Sequence, residues 1–157
     1  MRLALYQPDI PQNLGAAIRV CACLGAVLDV IEPCGFPLTD KSLKRAALDY
    51  GAQARIERHA SFRAFLAHPA RAEGRLVLIE TDGAARLDRF SFARDDTLIL
   101  GRESAGAPLE VHQAADARVR IAMAAGARSL NVVTAGALAL YEAMRQTGAI
   151  DDLEAER

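Results

Sequence analysis

Aromatic side chains and cysteines are scarce in this chain of 157 residues. Tryptophan is absent, and aromatic residues make up only 5% of the sequence. Recognition of RNA bases by stacking needs an aromatic platform, so the composition weighs against that mode of binding. The three cysteines, Cys21, Cys23 and Cys34, are an odd number without paired spacing. We interpret them as small apolar side chains in a reducing compartment rather than as disulfide partners or metal ligands.

Long apolar runs are also lacking. No segment reaches the roughly 20 apolar residues that a helix needs to span a bilayer. Gln-Pro-Asp at positions 7–9 stands where a signal peptide would need its apolar run. We therefore expect a cytoplasmic protein without a membrane partner. The histidines show no ligand spacing, so no metal site is predicted; they are His59, His68 and His112.

Neither sign of charge is in excess. The 19 basic residues balance 20 acidic ones and leave a net charge of −1. Phosphate binding usually leaves a basic footprint, so this total weighs mildly against a nucleic-acid partner. A balanced total can still conceal a local basic surface, and a solvated helix face is the alternative interpretation of the same residues. The candidates for such a surface are Lys41, Lys44, Arg45, Arg55 and Arg58.

Short apolar strands alternate with helical stretches along the chain, which predicts a single α/β domain over residues 1–157 with a parallel sheet. Ser61 and Ser129 are predicted to cap helices. The predicted strands are residues 3–6, 27–31, 54–58, 76–80, 97–100 and 119–121. The predicted helices are residues 11–24, 40–48, a short one after Ser61, and 130–146.

The last predicted helix is apolar on two sides. One stripe comprises Leu130, Val133, Ala137, Tyr141 and Met144, and a second stripe of smaller residues comprises Val132, Ala135, Ala139 and Ala143. A helix that is apolar nearly all round must be covered on both sides. We expect its own sheet to cover one side and a second copy of the chain, in a twofold homodimer, to cover the other. A central helix of a monomer is the alternative.

A first motif runs from Asn13 to Arg19 at the start of the helix predicted over residues 11–24. Gly15 allows another backbone to approach the helix closely. Arg19 lies one turn further on the same face, where its fork-shaped cation suits a phosphate or a carboxylate. An ordinary surface arginine is the alternative.

A second motif runs from Leu98 to Pro108 and includes the stretch Gly-Arg-Glu-Ser-Ala-Gly at residues 101–106. It leaves the carboxyl end of a predicted buried strand, where open α/β sheets bind ligands. Ala107 and Pro108 stand where a nucleotide-phosphate loop carries Lys and Ser or Thr, and no G-x-G-x-x-G occurs. The motif therefore favours a compact organic ligand held largely by backbone groups, with a tight structural turn as the alternative.

A third motif consists of Ile-Ala-Met at residues 121–123 and Ala-Arg-Ser-Leu-Asn-Val at residues 127–132, where the last helix is predicted to start. Ser129 is predicted to cap the helix, and Asn131 is predicted to lie in its first turn with its amide pointing outward. A simple cap without further function is the alternative.

The order and spacing of the three motifs resemble the SPOUT superfamily of RNA methyltransferases, and within it the SpoU-type 2′-O-ribose enzymes. The resemblance covers about residues 2–148. It is greatest to the minimal members that act on the wobble nucleotide of tRNA, cytidine or uridine 34. The segments that carry this closer likeness are residues 5–13, 31–36, 48–50 and 141–142.

The resemblance implies an α/β knot, in which the carboxyl-terminal segment of a Rossmann-like parallel sheet is threaded into a trefoil knot. It also implies S-adenosylmethionine (SAM) as methyl donor, without a metal. Arg19 would activate the ribose hydroxyl; the alternative is that it holds the neighbouring phosphate and stabilises the developing alkoxide. Glu103 and Asn131 would orient Arg19 or the RNA. Ala122 stands where the family usually carries Pro. The residues implied at the cofactor site are Ile79, Leu100, Gly101, Gly106, Ile121, Ser129 and Leu130.

Other functions stay open from the sequence. A SPOUT methyltransferase acting at another tRNA or rRNA position, or a non-catalytic RNA-binding protein of the same fold, would carry similar motifs. An α/β enzyme with a small-molecule substrate could use Glu103 as acid or base, and the near-zero net charge favours that interpretation.

Overall fold

The computed structural model describes residues 1–39, 43, 50 and 53–155. The helix predicted over residues 40–48 lies outside the described residues, apart from position 43. The strands are β1 (Arg2–Tyr6), β2 (Val27–Ile31), β3 (Arg55–His59), β4 (Leu76–Ile79), β5 (Ala85–Arg86), β6 (Thr97–Leu100) and β7 (Ala117–Arg120). The helices are α1 (Pro11–Cys23), α2 (Phe62–Leu66), α3 (Pro69–Ala72), α4 (Leu109–Ala114), α5 (Val132–Gln146) and α6 (Ala149–Ala155), with a 3-10 turn at Leu87–Arg89.

The strands form one parallel sheet in the order β3-β2-β1-β6-β4-β7-β5. This arrangement confirms the predicted α/β fold with a parallel sheet. Every residue of β1, β4 and β6 is buried, because helices cover both faces of the sheet. α1 and α5 pack on one face, and α2 and α4 pack on the other. The carboxyl ends of β6, β4 and β7 therefore lie side by side at one edge.

Helix α1 begins at Pro11, whose fixed φ suits the first helical position. Its buried side chains, among them Leu14 and Ile18, face the sheet, and Arg19 is exposed. The helix ends at Cys23, two residues before Gly25, which has a φ of +61°. The backbone there reverses into β2.

Helix α5 begins two residues later than predicted. Asn131 is its cap, with a side-chain oxygen that accepts hydrogen bonds from the backbone N–H groups of Val133 and Thr134 at 3.0 and 3.2 Å. The predictions that Ser129 caps the helix and that Asn131 lies in its first turn are wrong. Both residues are good caps, and the local sequence does not distinguish between them.

The two apolar stripes predicted for α5 also differ from its observed faces. The buried face comprises Val133, Gly136, Ala139, Leu140, Ala143 and Met144. A Cβ on Gly136 would lie 2.6 Å from Leu100 Cδ1, so the helix packs directly on β6. Tyr141, assigned to the first stripe, is instead 52% exposed, and Leu138 beside it is 47% exposed. A second apolar surface on α5 therefore exists, but it is formed by Leu138 and Tyr141 and not by the predicted second stripe.

Several short elements were not predicted. β5 has two residues and α3 has four, which is too short for a periodic pattern. In α4 only Val111 is buried, so the sequence lacks an apolar stripe there. α6 follows Gly148 and opens with two acidic residues, Asp151 and Asp152, in its first turn. No helix in residues 1–39 or 53–155 is long and apolar enough to cross a membrane.

A network of charged side chains, buried except at Glu57, joins β1, β2 and β3. Arg2 donates to both carboxylate oxygens of Asp29 at 2.6 and 2.8 Å, and to Glu57 at 2.6 Å. His59 Nε2 lies 2.6 Å from Asp29 Oδ1. Asp29 is fully buried, so the Arg2 guanidinium supplies the countercharge that such a carboxylate needs.

Candidate active site

A cavity of about 530 Å³ opens at the carboxyl ends of β4, β6 and β7. Its size is that of a typical small-molecule site. Its location is the edge at which parallel α/β sheets bind ligands. The walls come from five parts of the chain: the start of α1, residues 79–82 at the end of β4, the loop from residue 100 to 107, His112 of α4, and residues 121–135 before and within α5.

The loop of residues 101–107 is a tight hairpin-like turn. Arg102 and Gly106 exchange backbone hydrogen bonds of 2.9 and 2.8 Å. Gly106 has a φ of +69°, a conformation that glycine adopts without penalty. Gly101 has no room for a side chain, because a Cβ would lie 2.4 Å from the backbone of both Gly106 and Ala107. The predicted backbone-lined loop is therefore present.

Asp9, just before α1, holds this loop from outside the cavity. Its Oδ1 accepts two hydrogen bonds from Arg102 at 2.8 and 3.1 Å. Its Oδ2 accepts from the backbone N–H of Ser104 at 3.1 Å and from the Ser104 hydroxyl. These donors, Arg102 first and then Ser104, lower the pKa of Asp9 to about 2. The loop is thus tied to the segment that leads into the first motif.

A chain of amide hydrogen bonds links the three motifs inside the cavity. Because Asn131 Oδ1 accepts from the start of α5, its Nδ2 is the donor to Asn13 Oδ1, at 3.0 Å. Asn13 Nδ2 must then donate onward, and it does so to Glu103 Oε1 at 2.9 Å. Glu103 Oε2 accepts from the backbone N–H of Asp9 at 2.7 Å. The cap of α5 thus determines which group donates and which accepts in the hydrogen bonds between Asn131, Asn13 and Glu103.

The structure brings together most of the residues that the sequence pointed to. Glu103 and Asn131 line the cavity, and so do all seven residues implied at the cofactor site: Ile79, Leu100, Gly101, Gly106, Ile121, Ser129 and Leu130. Arg19 is not among the lining residues that the structure describes. It is exposed, six residues after Asn13 and thus about 9 Å further along α1. Its guanidinium carbon lies 5.3 Å from the centre of the Tyr50 ring, within cation–π range.

Four polar residues of the cavity wall were missed by sequence reasoning: Glu80, Thr81, Asp82 and His112. Glu80 ends the strand predicted over 76–80, and Thr81 and Asp82 follow it, so their position at a strand end was the available signal. His112 belongs to α4, which was not predicted. Of the basic residues proposed for an RNA surface, Arg58 donates to Glu32 at 3.0 Å, and Arg55 donates to the Gly25 carbonyl. Lys41, Lys44 and Arg45 lie outside the described residues.

Comparisons with known proteins give a consistent result. A model of the SpoU rRNA Methylase family matches residues 1–141. The chain is 51% identical over 148 residues to a tRNA (cytidine(34)-2'-O)-methyltransferase of Beijerinckia indica, covering 94% of this chain and 92% of that protein. It is 39% identical over 150 residues to the protein of that name from Escherichia coli K12, covering 94% of each.

Solved structures agree with these relatives. One that concerns 2-OH methylation of C/U34 on tRNA superposes with a TM-score of 0.84 at 42% identity, covering 92% of this chain and 94% of that one. The SpoU methyltransferase AviRb from Streptomyces viridochromogenes, in complex with AdoMet, superposes with a TM-score of 0.81 at 29% identity, covering 93% of this chain and 60% of that one. Sequence and fold agree over nearly the whole chain, and this protein belongs to the SpoU methylase family.

Proposed function

We propose that the protein transfers a methyl group from SAM to the ribose 2′-hydroxyl of the wobble nucleotide, cytidine or uridine 34, in tRNA. The observation that carries the proposal is the single cavity lined by motifs from three separate parts of the chain. The relatives that match over more than nine-tenths of the chain are named for this reaction. Because tRNA is the proposed substrate, we place the enzyme in the cytoplasm.

The cavity fits SAM chemically. Ile79, Leu100, Ile121 and Leu130 offer apolar walls, and the loop at Gly101 offers backbone groups to an adenosine moiety. The charged groups of the wall are Glu80, Asp82, Glu103 and Arg102, and Arg102 is already paired with Asp9. A wall with this excess of carboxylates suits a ligand that carries a sulfonium and an ammonium group.

When bound, SAM supplies a methyl group activated by a sulfonium. The chain's own part is to hold the ribose and stabilise charge on its oxygen. A guanidinium group is a poor base and a good partner for phosphate, so we assign Arg19 to binding a phosphate next to the reactive ribose and stabilising the developing alkoxide. Glu103 and Asn131 keep the first motif in place through Asn13.

We propose a homodimer built through α5. Leu138 and Tyr141 are about half exposed and line a shallow groove with Ile121, Ala122 and Leu87. Apolar side chains gathered in one groove are typical of an interaction surface. In this dimer Arg19 completes the cavity of the partner, which accounts for its absence from the wall of its own.

Nucleoside mass spectrometry tests the reaction. The protein is incubated with SAM and unmodified tRNA transcripts, and the digested RNA is examined for 2′-O-methylcytidine and 2′-O-methyluridine. We expect methylation that disappears when nucleotide 34 is a 2′-deoxynucleotide, and that falls by at least about a hundredfold in Arg19→Ala. Methylation of ribosomal RNA fragments, or of another tRNA position, would contradict the assignment.

Mixed dimers test the shared site. Arg19→Ala and Gly101→Val are each expected to be inactive alone. If Arg19 serves the partner's cavity, a mixed dimer contains one intact site, and activity returns on mixing and refolding. If each Arg19 serves its own cavity, both sites of the mixed dimer remain defective and no activity returns.

A further inference from the structure

Glu80 occupies a position in the cavity wall that the motifs do not explain. It directly follows Ile79 at the end of β4, between the ends of β6 and β7. Its backbone N–H donates to the Val119 carbonyl at 3.0 Å, which fixes the residue against β7. Its side chain is only 12% exposed and lines the cavity.

The Glu80 carboxylate is largely buried, and this burial is not compensated by close hydrogen bonds from the described residues. Oε1 is buried and accepts no hydrogen bond from the residues that the structure describes. The nearest basic side chains lie beyond close hydrogen-bond distance, with Arg118 Nη1 at 3.7 Å from Oε1 and His112 Nε2 at 3.4 Å from Oε2. Burial is the main cause that raises the pKa of Glu80, and the neighbouring Asp82 carboxylate also raises it. A buried carboxylate normally accepts several hydrogen bonds, so donors are missing from this site.

The other carboxylates of the wall do not share this condition. Both oxygens of Glu103 accept hydrogen bonds from inside the chain. Asp82 is exposed. Among the lining carboxylates that the structure describes, Glu80 is therefore the one that is largely buried and can still accept hydrogen bonds from a ligand.

We propose that Glu80 binds the cofactor by accepting hydrogen bonds from its donor groups, the ribose hydroxyls or the ammonium of the methionine part. This inference rests on the proposed function, because it takes SAM as the ligand of the cavity. A carboxylate at a strand end is a common acceptor for a ribose diol in α/β folds. Either donor would fill the acceptor positions that Arg118 and His112 leave open.

Calorimetric titration of three ligands into wild type, Glu80→Gln and Glu73→Gln tests the inference. The ligands are SAM, S-adenosylhomocysteine, and methylthioadenosine, which lacks the amino-acid part. Loss of a charge-assisted hydrogen bond predicts that Glu80→Gln binds SAM and S-adenosylhomocysteine at least about tenfold more weakly. Glu73→Gln, the same change at an exposed glutamate that does not line the cavity, is expected to change either affinity less than about threefold.

Methylthioadenosine separates the two donors. An equal loss for this ligand in Glu80→Gln assigns the bond to the ribose, and an unchanged affinity assigns it to the ammonium group. A loss confined to SAM would indicate attraction to the sulfonium charge alone and overturn the hydrogen bond. SAM affinity within threefold of wild type in Glu80→Gln, with an unchanged melting temperature, would overturn the role of Glu80 and leave the proposed function intact. Absence of SAM binding by the wild type would overturn both.

Discussion

Gly101 and Gly106 show how two residues of the same type contribute differently to one loop. A side chain at Gly101 would meet backbone atoms at 2.4 Å, whereas a Cβ at Gly106 would meet nothing within 4 Å. Gly106 is instead required by its positive φ. The sequence predicted that both glycines shape a ligand loop, but only the three-dimensional packing distinguishes close approach from backbone conformation.

Alanine at each position separates the two effects. Gly101→Ala must displace residues 106 and 107, so we expect SAM affinity to fall by more than about tenfold. Gly106→Ala strains one residue at a cost of about 1 kcal/mol, so its affinity is expected to fall about fivefold or less. Calorimetry with SAM gives both values, and equal losses for the two variants would contradict the assigned roles.

At the scale of secondary-structure elements, the start of α5 has two structural roles. Asn131 caps the helix with its oxygen and holds Asn13 with its nitrogen. The sequence placed Ser129, Leu130 and Asn131 at this helix start, but the cap assignment was wrong because either polar residue satisfies the local rule. The contact with Asn13 joins residues 118 positions apart, and local patterns carry no information about such a pairing.

Two substitutions distinguish the capping role of Asn131 from its hydrogen bond to Asn13. Asn131→Asp keeps a capping oxygen, so we expect stability close to wild type, but it loses the donor to Asn13 and should lower methyl transfer. Asn131→Ala loses the cap as well, at a cost of about 1 kcal/mol of unfolding free energy. Urea unfolding and tRNA methylation are measured for both. Full activity in Asn131→Asp would show that the bond to Asn13 is dispensable.

The contact between Asp9 and the loop after β6 predicts an acid-sensitive site. Arg102 and Ser104 lower the pKa of Asp9 to about 2 from its ordinary value of 3.8. Because the pKa of Asp9 is lower in the folded protein than in the unfolded chain, the ionised carboxylate stabilises the fold at every pH above its pKa in the unfolded chain. That contribution is lost as the pH falls from about 4 towards 2.

Unfolding free energies between pH 3 and pH 6 test this expectation. The wild type should lose stability relative to Asp9→Asn as the pH falls, since the variant has no carboxylate to protonate at this position. The difference between the two proteins is therefore expected to shrink towards acid pH. A difference that stays constant over the range would contradict the role of Asp9.

At the scale of the whole molecule, the parallel sheet could be predicted from the sequence. Which faces of the helices are buried against it could not. The continuous apolar runs of β1, β4 and β6 indicate strands buried on both faces. The outward face of α5 followed a different set of residues from the predicted stripes, because packing on Leu100 sets the rotation of the helix. The trefoil knot implied by the family resemblance stays a prediction.

Charge placed on the exposed face of α5 tests the proposed dimer. Leu138→Glu, at a position that is 47% exposed, should leave the fold intact and shift the protein from dimer to monomer in sedimentation velocity. Leu109→Glu is the matched control, since Leu109 is 70% exposed on α4 and lies across the sheet from α5. Dimers in both variants, or monomers in the wild type, would contradict the proposed interface.

The position of Asn131 late in the chain has a consequence for biosynthesis. A chain growing from its amino terminus already contains α1 and the turn at Gly101 when Asn131 has yet to be translated. Without Asn131, the side chain of Asn13 lacks its donor, and the wall formed by residues 121–135 is missing. We therefore expect the cavity to bind no ligand until residues 121–135 have left the ribosome and packed against the rest of the chain.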